Sequence, residues 1–324
     1  MGKSDIIARQ YIEDNAVFAD VFNFILYDGR TILEPSQLHP MDTAFATSLS
    51  KNNSEMFLQK FRDTYKAYTA KTDGKAAYLL LGIEEQSEIS YTMPVRAMLY
   101  DALSYDQQIQ RIARAHQEKK DYHKRSPGEY LSGFYKEDRL VPVITAVLLL
   151  SPDTWDGPTQ LHDMLDIKDP SLLSMIENYK VHLIAPSALT KEKMSKFKTN
   201  LREVLSFIKY SKDKDQVRTL VESNPRFAAM DPNAAMVIRT CTHYDFPIEP
   251  ERKGGNINMG NALQDIFDEG KEHGFAQGQI ALVQNLMESL QLTANKAMEM
   301  LKIPEAVQEK YLVMLEESSG QAKQ

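Results

Sequence analysis

The chain has 324 residues, 43% of them hydrophobic and 26% charged, which is ordinary globular usage at a length that can bury a sizeable core. Its formal net charge of −7 argues against a protein that coats nucleic acid non-specifically, yet leaves room for an enzyme that sets a local basic surface against phosphates. The longest apolar run, 141–150, is too short to span a bilayer, and the single cysteine, Cys241, excludes an intramolecular disulfide. His243 beside it lacks the further ligands a zinc site needs. The N-terminus turns polar too early for a secretory signal, and Ile6 stands where a myristoylation motif wants Ser or Thr. A soluble cytoplasmic protein with no membrane partner is expected.

Residues 5–27 read as one amphipathic helix, with Phe18, Val21, Phe22 and Ile25 on one face and a stop at Asp28-Gly29. The stretch 30–53, holding Pro35 and Pro40, reads as irregular. Two extended segments follow, 61–69 and 76–86, joined through Asp73-Gly74, a strong hairpin signal. The second carries AAYLLLGI, suited to a strand covered on both faces. After Pro94 the pattern is helical to about Lys120, with Val95, Met98, Leu99, Ala102 and Leu103 as the apolar stripe. The β-branched run 140–150 reads as a buried strand and 181–184 as a shorter one. Helices are expected at 190–211, 213–223, 261–290, 293–301 and 305–317, with Gly270, Gly274 and Gly278 recurring every four residues in the longest. The order predicts a mixed α/β core with an α-helical C-terminal extension. Domains are expected at 1–210 and 211–324, the latter an oligomerisation or partner-binding region.

Asp63 sits in the first extended segment, and Glu84, Glu85 and Gln86 close the second. Strand alternation sends Glu84 and Gln86 to one face and Glu85 to the other. Folding at Asp73-Gly74 brings Asp63 alongside Glu84, and two such carboxylates suit Mg²⁺, a hard cation. The bland reading, solvated acids at strand ends, stands beside this one, and the register that favours Glu85 and Ser87 is also open.

The run from Arg62 to Gln108, RDTYKAYTAKTDGKAAYLLLGIEEQSEISYTMPVRAMLYDALSYDQQ, resembles the central block of the recombination-promoting nuclease family, a transposase-like branch of the PD-(D/E)XK nucleases. FADVFNFILYDG resembles the family's N-terminal helix, SGFYKEDRLVPVITAVLLLSPDTWDGPTQLHDML its next strand and W-x-x-P-x-x-L-H-D element, and VHLIAPSALT its later half. The resemblance covers nearly the whole chain. It implies a restriction-endonuclease-like core, a mixed sheet flanked by helices, and Mg²⁺- or Mn²⁺-dependent hydrolysis of DNA in recombination or mobile-element movement. It implies metal ligation by Asp63, Glu84 and the backbone carbonyl of Glu85, with Gln86 where the parent pattern has lysine. That departure exchanges a fixed charge for a hydrogen bond.

DNA is the implied partner, and Arg96, Arg111 and Arg114 are the candidate phosphate contacts, within a basic stretch that runs on through Lys119, Lys120, Lys124 and Arg125. A solvated charged helix is the competing reading. Tyr91, Tyr100, Tyr105 and Trp155 read as packing before base stacking, and His162-Asp163 as capping before catalysis. The Lys191–Lys198 cluster reads as a solvated face, and Glu13 and Asp20 as further acids on the first helix. The rival function is a catalytically degenerate nuclease fold acting as a DNA-binding or protein-interaction scaffold, with homo-oligomers formed through the C-terminal helices.

Overall fold

A computed structural model describes residues 3–41, 44–48, 57–61, 64–72, 75–121, 125–167, 169–248, 255–304, 307–312 and 314–315. The expected first helix is two, α1 (Lys3–Ile12) and α2 (Asn15–Tyr27). Asp14 makes the break: its carboxylate accepts from the backbone N–H groups of Ala16 and Val17 at 2.8 and 3.2 Å, satisfying donors that open a new helix. The expected stop holds, because Asp28 and Gly29 adopt positive φ of 55° and 82°.

Among the described residues the strands are β1 (Leu38–Pro40), β2 (Ala44–Ser48), β3 (Phe57–Phe61), β4 (Thr64–Thr72), β5 (Lys75–Gln86), β6 (Val143–Leu149) and β7 (His182–Ile184). β2 and β3 form a separate antiparallel pair. The main sheet has the order β1-β4-β5-β6-β7, antiparallel on the β1 side and parallel from β5 to β7. The predicted hairpin is therefore found, from Thr72↔Lys75 down to Thr64↔Ile83, while Asp73-Gly74 lies outside the described residues. The parallel step from β5 to β6 needs a long crossover, and α3 (Met93–Lys119) supplies it. The stretch 30–53 is less irregular than its prolines suggest, since it carries β1 and β2.

Helices cover both faces of this sheet. Register places Lys66 beside Leu81, and Leu81 beside Ile144, so these share a face. On it Lys66 donates to the Glu13 carbonyl and to Asn15 Oδ1 at the α1–α2 junction. Thr145 faces the other way and donates to Asp101 of α3 at 2.6 Å. α3 turns a different face inward from the one its apolar stripe predicts. Met93, Ala97, Tyr100, Asp101 and Ser104 are buried, whereas Val95 is 40% exposed. β6 is buried along nearly its whole length, as a strand enclosed between two layers should be.

The core on the α1–α2 side is aromatic. Phe18, Phe22, Phe197, Phe207 and Phe227 are fully buried, and Phe24 stacks on Phe197 at 4.4 Å. The expected helix 190–211 is two pieces, Lys191–Met194 and Leu201–Tyr210, separated at residues whose backbone Asp20 captures. A helix at Pro232–Cys241, unmarked in the sequence reading, packs against α1 and Leu201–Tyr210.

The chain divides into two compact units, Met1–Met259 and Gly260–Gln324. The division falls later than the expected 210/211 because the helices through Cys241 pack into the first unit. The second unit contains Gln264–Leu290 and Ala294–Met300, around a core of Ala276, Ile280, Val283, Ala297, Met298 and Ile303. Among the described residues, no helix is long and apolar enough to cross a membrane.

Candidate active site at the end of β5

β5 ends at Gln86, where the backbone leaves the sheet through residues 87–92 and re-enters order as α3 at Met93, with Pro94 in the first turn. This short connection sets the start of α3 beside the strand end it follows. Gln86 and Arg96 are both half-buried there, and the Arg96 guanidinium donates to Gln86 Oε1 across 3.5 Å. The Gln86 carbonyl accepts from Leu150 N–H at 2.8 Å, tying the strand end to the residue after β6.

Glu84 and Glu85 belong to the β5 ladder, with backbone partners Val147 and Leu148. Their side chains, and Asp63 as a whole, lie outside the described residues. Among the described residues no three His, Cys, Asp or Glu side chains gather as a metal-holding group. The donor set implied by resemblance, two carboxylates and a peptide carbonyl, is all oxygen, and its chemistry fits Mg²⁺ or Mn²⁺ better than a soft metal.

Several residues flagged by the sequence have structural work. Asp20 is 4% exposed and accepts from Lys198 N–H at 2.9 Å, Thr199 N–H at 2.8 Å and the Thr199 hydroxyl at 2.7 Å. Glu13 pairs with Arg9 at 3.3 Å. Neither first-helix acid is arranged as a ligand. Tyr100 is core, Tyr105 accepts from Val143 N–H, and Tyr91 donates to Asp156 at 2.8 Å. Trp155 donates to the Gly157 carbonyl. His162 and Asp163 make no dyad: the His162 ring meets the Ile176 carbonyl at 2.7 Å, while Asp163 accepts from Gln160. Burial pushes the Cys241 thiol up to about 11, so it carries no thiolate near neutral pH.

Arg111 and Arg114 are exposed on α3, where they can meet a phosphate backbone. Arg125, from the same basic stretch, is committed elsewhere. It lies over the Tyr135 ring at 4.0 Å and pairs with Glu137 at 2.9 Å. His116 stacks on the same tyrosine at 3.8 Å and meets Asp138 at 3.0 Å.

Three polar centres went unmarked in the sequence. Glu203 is fully buried on Leu201–Tyr210 and meets Arg226, Asn200 and Asn224, each at 3.2 Å. Asp101 accepts from Thr145 and from Tyr179, both at 2.6 Å. Lys66 is buried on β4, its pKa lowered by desolvation against the opposing pull of Asp14 and Glu13. No local pattern separates these from solvated residues, since the partners come from distant segments. Compared with protein-family models, curated proteins and solved structures, the chain matches none.

Proposed function

We propose that the protein is a metal-dependent DNA endonuclease with a PD-(D/E)XK, restriction-endonuclease-like core, in keeping with its resemblance to the recombination-promoting nucleases. The observation that carries this reading is the meeting of Gln86 and Arg96 at the end of β5. The parent pattern wants a lysine charge where this chain has Gln86, and Arg96 brings a guanidinium to that same residue. A cation there stabilises charge developing on a phosphorane, and an arginine fork suits phosphate oxygens.

The hairpin register supports the ligand assignment. Thr64 and Ile83 are paired, and Asp63 and Glu84 are their immediate neighbours in the sequence. Asp63, Glu84 and the Glu85 carbonyl would hold the cation, which when bound would supply a Lewis acid for the phosphodiester and an acidified water. Gln86 orients that water, Arg96 faces the phosphate, and Arg111 and Arg114 guide the DNA backbone along α3. Incubating the full chain with supercoiled plasmid in Mg²⁺ or Mn²⁺ tests this. Nicked or linear product, abolished by chelator, is expected; intact plasmid under all metals refutes it.

The rival reading, a nuclease fold kept as a binding scaffold, draws on the commitment of Asp20 and Glu13 to structural partners. It predicts salt-dependent DNA affinity that chelator leaves unchanged.

A further inference from the structure

The chain has 45 acidic residues against 38 basic ones, yet one concavity of the first unit is lined by three cations and no acid. A cavity of about 360 Å³ lies between the segment around Lys191 and the helices Leu201–Tyr210 and Lys214–Ser223. Lys191, Arg202 and Lys209 line it, with Ser206, Ser223 and Asn224 adding polar groups. That volume is in the range of small-molecule sites.

The three charges have no carboxylate of their own in the cavity. Lys209 donates to the Leu189 carbonyl, which holds its ammonium at the wall. The acid nearest Arg202 is Glu203, at 3.9 Å, and Arg226 and two asparagine amides approach Glu203 more closely, at 3.2 Å. Among the described residues Lys191 has no side-chain hydrogen bond or ion pair. Three like charges around a small, partly desolvated volume repel one another, and an anion seated among them removes that cost. One carboxylate answers a single charge; a phosphate monoester offers two charges and three acceptor oxygens, the better match.

A second cavity of about 340 Å³ shares Lys191, Tyr210, Leu220 and Ser223 with the first, so the two adjoin. Its remaining lining is Asp213, whose carboxylate caps Lys214–Ser223 by accepting from Asp215 and Gln216 N–H, with Asp215, Gln216 and Thr219. The paired cavities thus set three cations on one side of Tyr210 and Leu220 and the Asp215 carboxylate on the other. We propose that they bind a small phosphate monoester on a hydroxyl-bearing body, a sugar phosphate or a mononucleotide. The phosphate sits among Lys191, Arg202 and Lys209, and the hydroxyls donate toward Asp215. This site is separate from the β5 end, and its test does not use DNA cleavage.

Calorimetry on the full chain, with glucose 6-phosphate, AMP and inorganic phosphate as titrants and glucose and adenosine as uncharged controls, decides the matter. One or both organic phosphates bind more tightly than inorganic phosphate, and the controls do not bind. Preference for glucose 6-phosphate or for AMP tells the two sources apart. Lys191→Gln, at an exposed position, weakens binding about tenfold with unchanged melting temperature; Arg202→Gln does the same, and Lys191→Gln carries the test if Arg202→Gln unfolds. The proposal is overturned if neither organic phosphate binds better than inorganic phosphate, or if Lys191→Gln binds like the parent. It also fails if Lys191→Gln weakens duplex DNA binding while both small phosphates give no heat, for the cavities are then a backbone contact.

Discussion

Asp20 and Glu203 on one side of the first unit, and Gln86 with Arg96 at the end of β5, are two polar centres built to different tolerances. Both oxygens of Asp20 take donors at 2.7–3.0 Å, and both of Glu203 take donors at 3.2 Å, all from residues that the carboxylates lock in place. Gln86 and Arg96 meet at 3.5 Å, half-buried, where a strand ends and a helix begins. The Asp20 and Glu203 oxygens are committed to groups of the fold, so disturbing them costs stability. The contact at the strand end is the longer one, and on the function proposed above disturbing it costs activity more than stability.

The sharpest way to separate the two centres is to remove the acids of each. Asp63→Ala and Glu84→Ala abolish metal-dependent nicking, with melting temperatures within a few degrees of the parent. Glu203→Ala acts in the opposite sense. It takes the shared acceptor from Arg226, Asn200 and Asn224, while Arg226 keeps its bonds to the Lys198 and Thr199 carbonyls, and costs about 3 kcal/mol in denaturant unfolding. Asp20→Ala, which strands the N–H groups of Lys198 and Thr199, costs about 3 kcal/mol. Equal stability of all four variants would erase the distinction.

Arg96→Gln refines the β5 side. Loss of the guanidinium lowers the nicking rate about 10²-fold, and Arg96→Lys restores part of it. If Arg96→Gln cuts at the parent rate, the charge beside Gln86 has no catalytic part.

The smallest effect lies at Glu129, an architectural carboxylate on the surface. Hydrogen bonds from the Ser126 backbone and hydroxyl, then from Lys136 N–H, hold its pKa down to about 2. The folded value lies below the unfolded one, so this stabilisation is fully present above the ordinary glutamate range. It is lost as pH falls toward 2. Between pH 6 and pH 3 the parent therefore loses more of its melting temperature than Glu129→Gln does; parallel slopes would contradict a stabilising role for these hydrogen bonds.

What the sequence made legible follows the same division. β5 and β6 were readable because a strand enclosed on both faces needs an unbroken apolar run, and 76–83 and 143–149 supply one. The Thr64–Thr72 and Lys75–Gln86 hairpin was readable from its turn signal. The α1–α2 break was not, because Asp14 lies in an otherwise continuous amphipathic pattern. The inward face of α3 was misread because Asp101 and Ser104 are buried there; Thr145 and Tyr179, 44 and 78 positions away, satisfy Asp101. Pro232–Cys241 carried a usable signal, Asp231 capping a helix with proline at its start. For the candidate site, the family resemblance singled out Asp63, Glu84 and Gln86 where spacing alone left solvated acids as an open reading, but the pairing of Gln86 with Arg96 needs the turn at 87–92 and is a property of the fold.

Calorimetric titration of the full chain with Mn²⁺, run beside Asp63→Ala and Glu84→Ala, is the most direct test that the β5 end is a metal-dependent active site. Saturable binding by the parent that both variants lose is the predicted result. Binding that survives in both variants, or no binding by the parent in the presence of DNA, contradicts it.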